Sequence, residues 1–332
     1  MNHGEHVDLA EEFLKMGLNV VTMYGNSTGT PSEAGLRIDS QTTLNHLLQH
    51  ELLSKLPIVL YGQSLGGAVA TDLAYKNPGK ISALILENTF LSIPILVKDF
   101  PAPFRSFPFL CTQKWPSVER IQWIPRETPI LMLGGDADMV VRPRHMQGLW
   151  AVARERVSLG DLVVEEDERE TETEKNALGD GEVPACFPGL GSSLKLRPPT
   201  EILKGLEVQY GSVHMRNGKD VFRLFERRTH VNTCRGHEYW PTVRAFLDSN
   251  FGLPTSDSGK GSSAPSAAAA AAAAVSTPRT STSGVHSRPL SSVASSSPVT
   301  AIVTVTATTT SAGLGAETAP SSAQVPTSAP ST

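Results

Sequence analysis

The sequence is poor in cysteine, in aromatic residues and in net charge, and each shortage removes a class of protein. Three cysteines, Cys111, Cys186 and Cys234, are too few and too irregularly spaced for a disulfide scaffold or a zinc site. A net charge of −4 with no basic stripe argues against nucleic acid as the main partner. No apolar run reaches the roughly 18 residues that a membrane helix needs, and no signal-peptide core opens the chain. As written, the chain reads as cytoplasmic. The aromatic shortage is local, since none follows Phe251. Residues 255–332 hold only five charges (Asp257, Lys260, Arg279, Arg288 and Glu317), the rest being mainly Ser, Thr, Ala and Pro. Such a segment buries too little apolar surface to offset its ordering entropy, so a disordered tail is expected over 255–332 and a folded domain over 1–254.

Within that domain two patterns alternate. Short apolar runs at Leu18–Met23, Pro57–Tyr61, Ile81–Leu86, Pro129–Leu133 and Val221–Phe225 suit strands buried on both faces of a parallel sheet. Segments of helical period lie between and beside them, at His6–Met16, Ile38–Leu53 (with Asp39 as the cap), Leu65–Tyr75, Pro143–Val157 and Glu238–Leu247. This alternation predicts βαβ units and a doubly wound, mostly parallel α/β sheet. Two long connections interrupt it. Residues 88–125, rich in Pro, Phe and Leu, are expected to form a lid or substrate wall. Residues 158–218 carry twelve acidic and six basic side chains, so this insertion holds most of the negative charge and is expected to be solvated and poorly ordered.

Chemistry enters at Gly62-Gln63-Ser64-Leu65-Gly66-Gly67. The pattern G-x-S-x-G is weak alone, but a strand precedes it and a helix-forming run follows. A sharp strand-to-helix turn strains the serine backbone and lifts its hydroxyl clear of the chain. Flanking glycines are needed where a side chain would collide with neighbouring elements. The Leu65 amide, at the helix N-terminus, would point at a developing oxyanion. A phosphate-binding Walker loop is excluded because no Lys follows the glycines.

A serine needs a histidine to take its proton and a carboxylate to orient that histidine. The fourth strand ends at Gly134-Gly135-Asp136-Ala137-Asp138, where either aspartate serves; Asp138 is favoured for its reach beyond the strand end, with Asp136 as the fallback. His214 sits inside the acidic insertion and His237 starts the final helix. His230, five residues past the last strand, is where the base belongs. Neither metal nor organic cofactor is called for. A small-molecule or acylated substrate is the expected partner, and nothing in the sequence signals an oligomeric state. The rival expectation is a non-catalytic, hydrolase-like protein that acts through binding, or a fragment with impaired activity.

Several stretches together resemble the bud-emergence-protein-like α/β-hydrolases, within the wider serine aminopeptidase-like group. They are Tyr24–Asp39, the elbow Gly62–Ala70, Glu87-Asn88-Thr89-Phe90, the lid segment Cys111–Trp115 and the histidine loop Thr229–Thr233. The resemblance covers most of 2–157 and 220–250. It implies an α/β-hydrolase fold, a catalytic set of Ser64, Asp138 and His230, and lipid-chain thioesterases, including palmitoyl-protein thioesterases, among related activities. It also implies that a membrane anchor, further strands and a His-Gly-Asn oxyanion loop precede the part written, leaving one sheet edge uncovered. The insertion at 158–218 is foreign to the family pattern.

Overall fold

The computed structural model describes residues 3–23, 32–106, 108–162, 196–253 and 301–305. The elements run α1 (His3–Lys15), β1 (Asn19–Met23), α2 (Glu33–Gln49), β2 (Ile58–Gln63), α3 (Leu65–Lys76), β3 (Ala83–Glu87), α4 (Ile93–Val97), α5 (Ser117–Ile121) and β4 (Ile130–Gly135). They continue through α6 (Pro143–Ala153), α7 (Leu159–Leu162), α8 (Pro199–Ile202), β5 (Val213–Asn217), β6 (Asp220–Phe225), α9 (Tyr239–Phe251) and β7 (Ala301–Val305).

Seven strands form one sheet in the order β1-β7-β2-β3-β4-β6-β5, parallel except for the β5–β6 hairpin. The pleat sends alternate residues to opposite faces. Ile58, Leu60, Leu84, Leu86, Ile130 and Met132 meet Leu44, Leu73, Trp150 and their neighbours from α2, α3 and α6. Val59, Tyr61, Ile85, Leu131 and Leu133 meet Leu9 and Phe13 of α1 and Val243 and Phe246 of α9. Two helical layers therefore sandwich the sheet, as the alternation predicts. Each fully buried Leu, Ile or Phe contributes about 1.5–3 kcal/mol.

Three expectations need correction. The second helix starts at Glu33, not near Asp39: Ser32 is its cap, with its hydroxyl accepting from the Gly35 N–H at 3.0 Å. The returning end of the 158–218 insertion is ordered. Leu196 to Asn217 includes α8 against α6 and the strand β5, which pairs with β6 through a two-residue turn whose Gly218 has φ 60°. Its acidic run, Glu165–Glu170, lies outside the described residues. Finally, part of the expected disordered tail is a strand. Ala301–Val305 pairs in parallel with β1 on one side and β2 on the other, so the sheet draws on residues beyond 254. Among the described residues β1 lies at one edge of the sheet and β5 at the other.

The opposite end of the sheet is pinned by ions. The Arg156 guanidinium, fully buried, meets both Asp220 carboxylate oxygens at 2.7 Å and the carbonyls of Pro125, Thr128 and Ala153. Asp220 also accepts from the Ile130 N–H at 2.9 Å, which locks the starts of β4 and β6 together.

Candidate active site

The carboxyl ends of β2, β3, β4 and β6 converge on one sheet edge, the usual place for a site in a doubly wound fold. Ser64 stands between β2 and α3 with φ 55° and ψ −122°, a conformation that costs a non-glycine residue of order 1–3 kcal/mol. The glycines around it are obligatory. A Cβ on Gly62 would fall 2.3 Å from the Gly66 carbonyl oxygen, and one on Gly67 would fall 2.6 Å from Thr89 Cβ. The Ser64 side chain does not cap α3, and among the described residues the Leu65 N–H has no backbone acceptor outside the helix. Both groups stand where a helix N-terminus favours negative charge.

Of the two aspartates after β4, only Asp138 reaches the histidine loop's imidazole. It is buried, with Oδ2 2.7 Å from His230 Nδ1 and Oδ1 accepting the N–H groups of Val140 and Val141 at 2.8 Å. This bond fixes the proton on Nδ1 and leaves Nε2 as the acceptor. Asp136 is instead an anchor. Its Oδ2 accepts from the Gly211 N–H at 3.1 Å and its Oδ1 from Arg227 N–H, tying the returning insertion and the end of β6 to the acid loop.

His230 is brought to the elbow through its main chain. The Gln63 amide, adjacent to Ser64, donates to the His230 carbonyl at 3.1 Å, and the Asn88 amide does so at 3.0 Å. No hydrogen bond joins the Ser64 hydroxyl to the ring, a looseness common before substrate binds. His214 lies on β5, beside Arg216 and Arg223, and His237 precedes α9; neither touches Asp138.

A polar cluster beneath the elbow has no counterpart in the sequence-derived set. Glu87, fully buried, accepts from Tyr61 Oη at 2.6 Å, from Tyr239 Oη, and from Gln63 Nε2 at 3.0 Å. Burial pushes its carboxyl above the usual range against the pull of those three donors, and burial beside Glu87 pushes both tyrosine hydroxyls well up. The signal was visible as a polar run, Glu87-Asn88-Thr89, directly after an apolar strand. Burial likewise lowers the His145 imidazole, which accepts from Leu91 N–H and bonds Asp99 at 2.9 Å, fastening α6 to the 88–125 segment.

The rim is apolar. Met139 and Val140, next to Asp138, are 77% and 47% exposed, and Val231, next to His230, is 51% exposed. Phe109 and Leu110 add two more exposed apolar side chains from the 88–125 segment. A cavity of about 400 Å³ lies on the α1 side of the histidine loop, among Leu9, Tyr61, Val231, Arg235 and Trp240; neither Ser64 nor His230 lines it. Among the described residues, no three His, Cys, Asp or Glu side chains gather as metal ligands, and no helix is long and apolar enough to cross a membrane.

Sheet order, flanking helices and the strained turn between β2 and α3 define an α/β-hydrolase fold. Residues 24–118 match the family described as serine aminopeptidase, S33. The chain is similar to bud-emergence-protein-like α/β-hydrolases: it is 46% identical to protein bem46 of Schizosaccharomyces pombe over 151 residues, which cover 44% of this chain and 50% of that protein. An uncharacterized membrane protein of Saccharomyces cerevisiae is 42% identical over 38% of this chain and 45% of its own length. The α/β hydrolase domain-containing protein WAV2 of Arabidopsis thaliana is 38% identical over 40% of this chain and 46% of its own. The chain thus spans about half the length of the curated relatives it matches.

Proposed function

We propose that this chain is a serine hydrolase that cleaves an ester or thioester of an apolar acyl group through an acyl-enzyme. Ser64 Oγ attacks the carbonyl carbon while His230 Nε2 takes the hydroxyl proton, and Asp138 holds the imidazole and stabilises its charged form. The Leu65 N–H donates to the oxyanion. His230 then gives the proton to the leaving alcohol or thiol. In the second half water attacks the acyl carbon while its proton passes to His230; the acyl C–Oγ bond then breaks, His230 returns that proton to Ser64 Oγ, and the carboxylic acid is released. Neither metal nor organic cofactor takes part in these steps.

The observation that carries this reading is the joining of a strained serine turn to a buried Asp138–His230 pair through the side chain next to the serine. The apolar rim of Met139, Val140 and Val231 supports an acyl chain rather than a charged group, and a palmitoyl-protein thioesterase is a variant consistent with it. Cleavage of an N-terminal peptide bond, the activity in the matched family's description, has less support. Two acids of the cavity beside the histidine loop, Glu11 and Glu12 of α1, are already paired with Lys15, and that cavity does not include Ser64.

A fluorophosphonate probe should label the folded protein, and Ser64→Ala should abolish both labelling and turnover of a p-nitrophenyl ester. Folded wild-type protein that neither labels nor turns over would favour a binding role instead.

A further inference from the structure

Glu87, Asn88 and Thr89, at the tip of β3, take no part in the proton transfers, yet between them they touch all three loops of the site. The Ser64 N–H donates to the Glu87 carbonyl at 2.9 Å, and Thr89 Oγ1 donates to the Ser64 carbonyl at 2.7 Å. Both main-chain groups of the strained residue are therefore held by the two neighbours of Asn88. Asn88 itself, at φ 43° and buried, holds the other two loops. Its amide nitrogen donates to the His230 carbonyl at 3.0 Å and to Thr233 Oγ1 at 2.8 Å; its amide oxygen accepts from the Gly135 N–H, three residues before Asp138, at 2.9 Å. Gln63 reaches the same His230 carbonyl, and Glu87 fixes Gln63 in turn. Even the glycines conform: a Cβ on Gly135 would fall 2.2 Å from the Arg228 carbonyl oxygen, so the acid strand and the histidine loop meet only because that side chain is missing.

We propose that Glu87-Asn88-Thr89 is a positioning frame that sets nucleophile, base and acid loops in mutual register. The idea rests on the serine-hydrolase reading above. The Asp138 bond restrains the imidazole only at Nδ1, leaving the ring free to swing about that contact. Where Nε2 lies relative to Ser64 then depends on the main chain of His230, and that main chain is held by the Asn88 and Gln63 amides. A displacement of about 1 Å at such a point costs on the order of 10²-fold in rate.

Asn88→Asp is the sharpest test. Aspartate tolerates the positive φ and keeps an acceptor for Gly135, but turns the donor facing the His230 carbonyl into a second acceptor. We expect kcat on a p-nitrophenyl ester and the rate of fluorophosphonate labelling both to fall about 10²-fold, with KM within about two-fold and the protein folded. Thr89→Val, which removes only the hydroxyl that bonds Ser64, should lower kcat about tenfold, and Thr89→Ser should restore it. The Thr89 pair decides the matter should Asn88→Asp fail to fold. Folded Asn88→Asp or Thr89→Val protein with wild-type kcat and labelling rate would overturn the frame while leaving the hydrolase reading intact. Wild-type protein that does not label, with or without the frame variants, would overturn both.

Discussion

The two ends of the sheet are built differently. Every residue of β2, β3 and β4 is buried, each of these strands is apolar up to its last one or two positions, and α3 links β2 directly to β3. At the other end, four of the five β1 residues are only half-buried, and among the described residues β1 pairs with β7 alone, some 280 positions downstream. The first kind of pairing follows from local apolar pattern, even where the 88–125 and 158–218 connections lie between its strands. The second must close a long loop before its hydrogen bonds form, and loop closure rewards such contacts late. The loops of the candidate site follow β2, β3, β4 and β6, and of these strands only β2 pairs with β7.

That contrast can be broken at several points. The largest effect is expected from Asp220→Ala, which leaves the buried Arg156 guanidinium without its counter-ion; a loss of about 3–5 kcal/mol should appear in urea unfolding. Gly67→Val should come next. It drives a side chain into Thr89, so labelling by a fluorophosphonate should fall at least tenfold even where the protein stays folded. Val303→Pro, in the middle of β7, removes a ladder donor and should abolish hydrogen-exchange protection over Asn19–Met23 while β3 and β4 stay protected. Equal loss of protection in both regions would erase the distinction between the two ends.

A smaller effect follows from His145. Its folded-state pKa lies below the ordinary value near 6.5, so the folded protein binds that proton less readily than the unfolded chain. Its stabilising contribution is full above about pH 6.5 and is lost as the pH falls through and below that value. His145→Gln should flatten this acid-side slope in thermal unfolding, and His214→Gln, whose imidazole is also lowered by burial and by Arg223 and Arg216 but stands more exposed, should flatten it less. Smallest of all, Phe109→Ser should shift stability by no more than about 0.5 kcal/mol, because that side chain is already exposed.

The same contrast explains what was legible beforehand. The five apolar runs became β1–β4 and β6, and the strand–turn–helix around Ser64 was readable because its glycines mark a backbone that no other residue can follow. Asp138 and His230 were readable from their offsets past strand ends, and reach past the strand separates Asp138 from Asp136 in the structure as well. β5 was hidden in a charge-rich insertion, although Asn217-Gly218 just before an apolar run is a hairpin signal in itself. β7 was hidden by composition. Ala301-Ile302-Val303-Thr304-Val305 is β-branched enough for a strand, but the Ser/Thr-rich stretch around it drowned that local preference. The polar run Glu87–Thr89 was visible in the sequence, but its role was not, because several of its partners are main-chain atoms of remote loops, which no side-chain pattern records.

The doubly bonded pair Gln147–Gln209, with Asp136 holding Gly211, clasps the base of the 158–218 excursion to α6 and the acid loop. A single break in the chain between Leu162 and Leu196 would therefore part the molecule into one piece bearing Ser64 and Asp138 and another bearing His230. Five rungs of β4–β6 backbone pairing and the Arg156–Asp220 bridge run across that divide. The fold thus carries a ready-made plan for two fragments that could reassemble across β4 and β6, each bearing part of the Ser64, Asp138 and His230 set.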